Sequence, residues 1–164
     1  MSDRTSVLFV CMGIICRSPL AEGIFVHMAD KRGVLDRFEV DSCGTGDWHV
    51  GHAADARSIE VGARHGIELT SIGRQVDPER DFERFDLLVA MDRLNVADLV
   101  ALGAPQGRVR LMRSFDPAVR DREGRELDVP DPYSGSGDGF ERVYDMLWTA
   151  CGGLLEHLLE PGRD

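Results

Sequence analysis

The chain has 164 residues, 43% hydrophobic and 29% charged, which suits one domain (residues 1–164) with an ordinary buried core. Its net charge of -10 argues against a general binder of nucleic acid or anionic membrane, because both favour basic surfaces. A local anion site built from backbone amides and one arginine remains open to an acidic protein. No apolar run reaches the roughly 18 residues of a membrane span, and the N-terminal segment lacks the long apolar stretch of a signal peptide. A cytoplasmic protein is expected, with its four cysteines (Cys11, Cys16, Cys43 and Cys151) reduced unless they are catalytic or redox-active.

In chain order, residues 6–10 (SVLFV) read as a buried strand. Pro19 suits a first helical turn, and the helix it opens runs to a stop at Gly33. Residues 37–44 (RFEVDSCG) are a second strand. A loop rich in Gly, Trp and His follows at 46–55, then a helix over 56–66. Residues 85–91 (FDLLVAM) form a third strand, followed by a helix over 92–103 that Asp92 can cap. Residues 108–112 (RVRLM) are a fourth strand. A long polar loop then carries three prolines, and the closing helix over 140–159 is interrupted by Gly152 and Gly153. Strands alternating with helices predict an α/β fold, a parallel sheet with helices on both faces. Sites in such sheets lie at the carboxyl ends of strands, which draws attention to residues 11–18 and to the long loop 113–137.

Cys11 ends the first strand, and Arg17-Ser18-Pro19 opens the first helix. A loop turning from strand into helix can aim successive amides at one point, where the helix dipole also favours an anion. Arg17 adds a planar fork for two phosphate oxygens. A thiol at the base of such a cradle is placed to attack a tetrahedral phosphorus in line, giving a cysteinyl-phosphate. The scheme needs no metal and no cofactor. It does need an acid for the leaving oxygen, and Asp131, between Pro130 and Pro132 on the long loop, supplies one. The plainer alternative is a buried core thiol beside a surface arginine. The strand-to-helix position, the Cys-x5-Arg spacing and the distant Asp-Pro weigh jointly against it.

The run VLFVCMGIICRSPLAE resembles the signature of the low-molecular-weight protein tyrosine phosphatases, and DSCGTGDWHVG, RHGIEL, FDLLVAMDRLN and VPDPY follow in that family's order. The resemblance implies a four-stranded parallel sheet with a phosphate-binding loop after strand one. It implies hydrolysis of phosphotyrosine in proteins, inorganic phosphate as product, and a cognate tyrosine kinase as a partner. By the same resemblance Cys11 is the nucleophile, Arg17 the phosphate clamp, Asp131 the general acid, and Ser18 the group that assists the departing thiolate. Met12, Gly13, Ile14, Ile15 and Cys16 complete the phosphate loop, while Trp48 and Tyr133 are aromatic walls for the substrate ring. Flat aromatic walls suit phosphotyrosine better than phosphoserine. Ser42 and His65 are expected to support the loop from below. Cys16 matches a cysteine that pairs with the nucleophile under oxidation, although a small apolar filler is an equal reading. His49 and His52 lack the spacing of a metal site.

Arsenate reductases of similar fold carry a redox cysteine pair in mid-chain, and residues 44–150 here contain no cysteine. Protein-arginine phosphatases carry Thr where this chain has Ile15, and an apolar residue there suits an aryl ring better than a guanidinium. The chain departs from the family at Ile14, where the pattern has Asn. Asn tolerates left-handed backbone angles and bonds locally, and β-branched Ile does neither. A phosphate- or phosphotyrosine-binding protein with impaired catalysis is therefore the alternative in a different functional class. Ile14→Asn is expected to raise turnover of an aryl phosphate, and equal turnover in the two proteins would show that the loop does not depend on position 14.

Overall fold

The computed structural model describes residues 4–13, 16–47, 50–132 and 138–160. Four parallel strands, β1 (Thr5–Cys11), β2 (Phe38–Gly44), β3 (Leu87–Ala90) and β4 (Val109–Leu111), lie in the order β2-β1-β3-β4. Five α-helices surround them: α1 (Arg17–Lys31), α2 (Ala56–Arg64), α3 (Pro78–Arg84), α4 (Arg93–Ala101) and α5 (Asp138–Leu159). The chain leaves β1 towards β2 on one side and returns to β3 on the other. The right-handed crossovers then put α1 and α4 on opposite faces. Helices α1, α2 and α5 pack together, and α4 covers β3 and β4.

Coverage on both faces explains the uninterrupted apolar runs of the central strands. Val7, Leu8, Phe9 and Val10 on β1 and Leu88, Val89 and Ala90 on β3 are all fully buried. Between β1, α1 and β2, Phe9 packs tilted on Phe25 with centroids 5.9 Å apart, and Phe25 meets Phe38 edge-on at 5.1 Å. Edge strand β4 is only three residues long and half-buried.

Several expectations are refined. α1 begins at Arg17, two residues before Pro19, so the guanidinium belongs to the first helical turn. Gly33 does end it, in the left-handed conformation (φ 72°). α3 was not anticipated, although its Asp77 cap and Pro78 are ordinary start signals. α5 is not interrupted at Gly152 and Gly153 but runs through both. Gly153 is there because a Cβ would lie 1.8 Å from the Phe115 carbonyl oxygen; the glycine serves close packing, not a break. The long loop is partly ordered by 3-10 turns at Met112–Phe115 and Gly124–Leu127. Among the described residues no helix is long and apolar enough to cross a membrane.

Candidate active site

The switch in strand order falls between β1 and β3, and the site assembles at their carboxyl ends. Cys11 closes β1 in register with Gly44 of β2. Its Sγ lies 3.0 Å from Ser18 Oγ, and Ser18 Oγ also lies 3.4 Å from the Cys43 carbonyl. The hydroxyl has one proton. It donates either to the sulfur or to the carbonyl, so it can serve a thiolate in one state and accept from a thiol in the other.

Arg17 is the largest of the fully buried side chains, 2% exposed. An isolated guanidinium there would be severely destabilising. It is compensated by Asp92 Oδ2 at 2.6 Å and by the Val129 carbonyl at 2.9 Å, both accepting from Nη1. Burial opposes the charge, but Cys11 and Asp92 outweigh it and raise the pKa above the ordinary arginine value. Asp131 reaches the other end of the fork, with Oδ2 3.9 Å from Nη2. The segment before Asp131 is docked by the Val129 N–H, which donates to the Met91 carbonyl just past β3 at 2.8 Å. A residue from the long loop is thereby brought to the mouth of the first loop.

The described part of the 11–17 loop is tied on its outer side. Thr45 N–H donates to the Cys11 carbonyl and Gly46 N–H to the Met12 carbonyl, each at 2.9 Å. Cys16 precedes α1 without a side-chain cap among the described residues, so the first amides of α1 remain for an anion. Cys16 Sγ faces Asp55 Oδ2 at 4.0 Å. Burial, then Asp55, Asp131 and Cys11, pushes its thiol up to about 12, so it stays protonated at neutral pH. The buried Cys43 and Cys151 thiols are likewise pushed up by burial.

Ser42 and His65, the two residues expected to support the loop, have these described partners. Ser42 is buried, but its Oγ donates to Glu22 Oε1 on α1 at 2.6 Å, an oxygen that Ser71 also reaches at 2.8 Å. Burial raises the Glu22 pKa despite these two hydroxyls. His65 caps the end of α2, 2.7 Å from Glu141 Oε1, with its ring stacked at 3.8 Å on Tyr144. Its Nε2 thus faces α5. Ser71, three residues before Arg74, is the polar group that shares Glu22 with Ser42. Ile14, Ile15, Trp48, His49 and Tyr133 lie outside the described residues. No cluster of metal-ligating side chains occurs among the described residues.

In sequence Asp92 reads only as a helix cap. It is one, accepting from Asn95 N–H at 2.9 Å, and it is also the counter-ion of Arg17. The signal was its place directly after an apolar strand at the switch point. Asp55 and Ser58, in the first turn of α2, left no such signal.

This arrangement, a thiol and a buried guanidinium on one strand-to-helix loop with a carboxylate facing them, is that of a cysteine-dependent phosphatase. Residues 6–163 match the family described as low molecular weight phosphotyrosine protein phosphatase. A low molecular weight protein-tyrosine-phosphatase of Streptomyces coelicolor is 45% identical over 157 residues, covering 94% of this chain and 93% of that one. Low molecular weight protein-tyrosine phosphatase A of Mycobacterium tuberculosis is 45% identical over 155 residues, 94% and 91% of the two chains. The crystal structure of a protein tyrosine phosphatase from Entamoeba histolytica superposes with a TM-score of 0.86 at 36% identity, covering 94% and 96%. A drosophila arginine phosphatase superposes at 0.84 with 31% identity, covering 94% and 98%. The chain belongs to the low-molecular-weight protein tyrosine phosphatase family and is a hydrolase of that class.

Asp92→Asn separates the two roles of Asp92, since Asn caps helices as well as Asp but carries no charge. Catalytic efficiency is expected to fall by about ten- to a hundredfold, as a misaimed clamp does, with α4 still formed by circular dichroism. Unaltered efficiency would mean that Asp92 does not hold Arg17 for function.

Proposed function

We propose that the chain dephosphorylates phosphotyrosine in cytoplasmic proteins through a covalent cysteinyl-phosphate, with a cognate tyrosine kinase supplying its substrates. The observation that carries this is the meeting of Cys11, Arg17 and Asp131: the thiol closes β1, the guanidinium opens α1, and the carboxylate stands 3.9 Å from that guanidinium.

In the first step the Cys11 thiolate attacks phosphorus, the S–P bond forms and the P–O bond to the tyrosine breaks. Asp131, protonated, gives its proton to the departing phenolic oxygen. Arg17 takes two of the phosphoryl oxygens in its fork, and the loop amides take the rest, in an arrangement set before substrate arrives. In the second step water attacks phosphorus and Asp131, now a carboxylate, takes a proton from it. The S–P bond breaks, and inorganic phosphate leaves. Ser18 Oγ, 3.0 Å from Cys11 Sγ, donates a hydrogen bond to the returning thiolate, which keeps its negative charge. Cys16, kept protonated by burial and Asp55, does not compete as nucleophile. Trp48 and Tyr133 would wall the slot for the phenyl ring.

Arginine phosphatase activity is the second reading, favoured by the likeness to the drosophila arginine phosphatase. Apolar Ile15 supports tyrosine. Turnover of phosphotyrosine against phosphoarginine peptides separates the two.

Cys11→Ser is expected to abolish turnover while phosphate binding largely survives, because a serine hydroxyl is far less acidic than a thiol and stays protonated. Near-parental activity would remove Cys11 as nucleophile. Asp131→Asn is expected to slow hydrolysis by about a hundredfold or more for poor leaving groups and far less for acidic phenols, as loss of a general acid requires. A uniform loss across leaving groups in steady-state kinetics would instead give Asp131 a positional role.

A further inference from the structure

We propose that Ser58, on the first turn of α2, is a positioning residue for phosphate: its hydroxyl turns the Cys16–Arg17 peptide so that the Arg17 N–H faces the anion site. The inference rests on residues 11–17 being the phosphate loop.

The carbonyl of one residue and the N–H of the next belong to one planar trans unit and point in opposite directions. An anion cradle therefore needs its carbonyls held outward as firmly as its amides are aimed inward. Three peptide units of the loop have described outer partners. Thr45 N–H holds the Cys11 carbonyl at 2.9 Å, and Gly46 N–H holds the Met12 carbonyl at 2.9 Å. These two bonds aim the amides of Met12 and Gly13, and they are backbone to backbone, so they do not depend on side-chain identity. The third is different. Ser58 Oγ donates to the Cys16 carbonyl at 3.1 Å, and it turns the unit whose N–H is that of Arg17.

Ser58 is fully buried. Asp55 caps α2, accepting from Arg57 N–H at 2.8 Å and from the Arg57 guanidinium at 3.1 and 3.0 Å. Arg57 in turn lies over the Phe140 ring at 4.5 Å, which seats the first turn of α2 against α5. The turn that carries Ser58 is thus fixed from two sides, and its hydroxyl meets the loop exit with little freedom. Ser58 is the one outer tie of the described loop that a side chain supplies.

Ser58→Ala removes the tie and keeps a good helix former. The inhibition constant for inorganic phosphate and the KM for an aryl phosphate are expected to rise together by about tenfold, the scale of one misaimed hydrogen bond to a charged group. The rise in unfolding temperature produced by saturating phosphate should shrink in parallel. Ser58→Thr keeps the hydroxyl and is expected to stay near the parent in both measurements. Parental phosphate affinity in Ser58→Ala overturns the assignment, and so does an equal loss in Ser58→Thr. Cys11→Ser measured alongside keeps the two readings apart. If it is inactive while Ser58→Ala binds phosphate normally, only the role of Ser58 falls. If it still turns over, the phosphate-loop reading falls with it.

Discussion

A guanidinium buried to 2% exposure is the constraint around which the site is built. Arg17 cannot sit at the carboxyl end of β1 unless acceptors meet it there, and each acceptor comes from a different part of the chain. Asp92 follows β3, and the Val129 carbonyl belongs to the segment that docks on Met91. Satisfying one buried charge therefore ties the first crossover, the third strand and the long loop into one edge. The same edge carries Cys11 and Asp131. The cost of burying the charge and the geometry that suits phosphate are met by the same contacts.

The surroundings of that edge divide the cysteines by environment. Cys11 Sγ lies against the Ser18 hydroxyl and interacts electrostatically with Arg17. Cys16, five residues on, faces Asp55 and is pushed up to about 12. Two thiols on one short loop thus have different neighbours, one beside a hydroxyl and a buried cation and the other beside a carboxylate. This local pattern coexists with a net charge of -10 over the whole chain. An anion at the loop would meet one arginine and the loop amides, and the bulk charge is screened over roughly 8–10 Å at ordinary salt.

Helix α2 is the frame on the far side. It presents Asp55 and Ser58 to the exit of the loop, lays Arg57 on Phe140, and meets α5 again through His65 and Glu141. Helix α5 begins just after the segment that follows Asp131, so α2 lies between the loop proposed to hold phosphate and the helix that bounds the acid's loop. Contacts on one short helix thereby link two parts of the site that are over a hundred residues apart in sequence.

Periodicity and local chemistry alone determined much of this protein. The apolar runs at 6–10 and 85–91, the alternation of strands with helices and the Cys-to-Arg spacing at a strand-to-helix turn were sufficient for a parallel α/β sheet with an anion loop after β1. They are local properties, set by which side chains suit a doubly covered strand and which backbone can cradle an anion. The tertiary structure alone decided what meets that loop. Asp92 reads as a cap in sequence, and only the pairing of β1 with β3 makes it the partner of Arg17. Ser42 and His65 read alike in sequence, and only packing gives one Glu22 and the other Glu141 as a partner. Gly153 looks like a helix break until the Phe115 carbonyl is seen against it. In each case the deciding partner is distant in sequence, and a residue type by itself does not say which distant group the fold will bring to it.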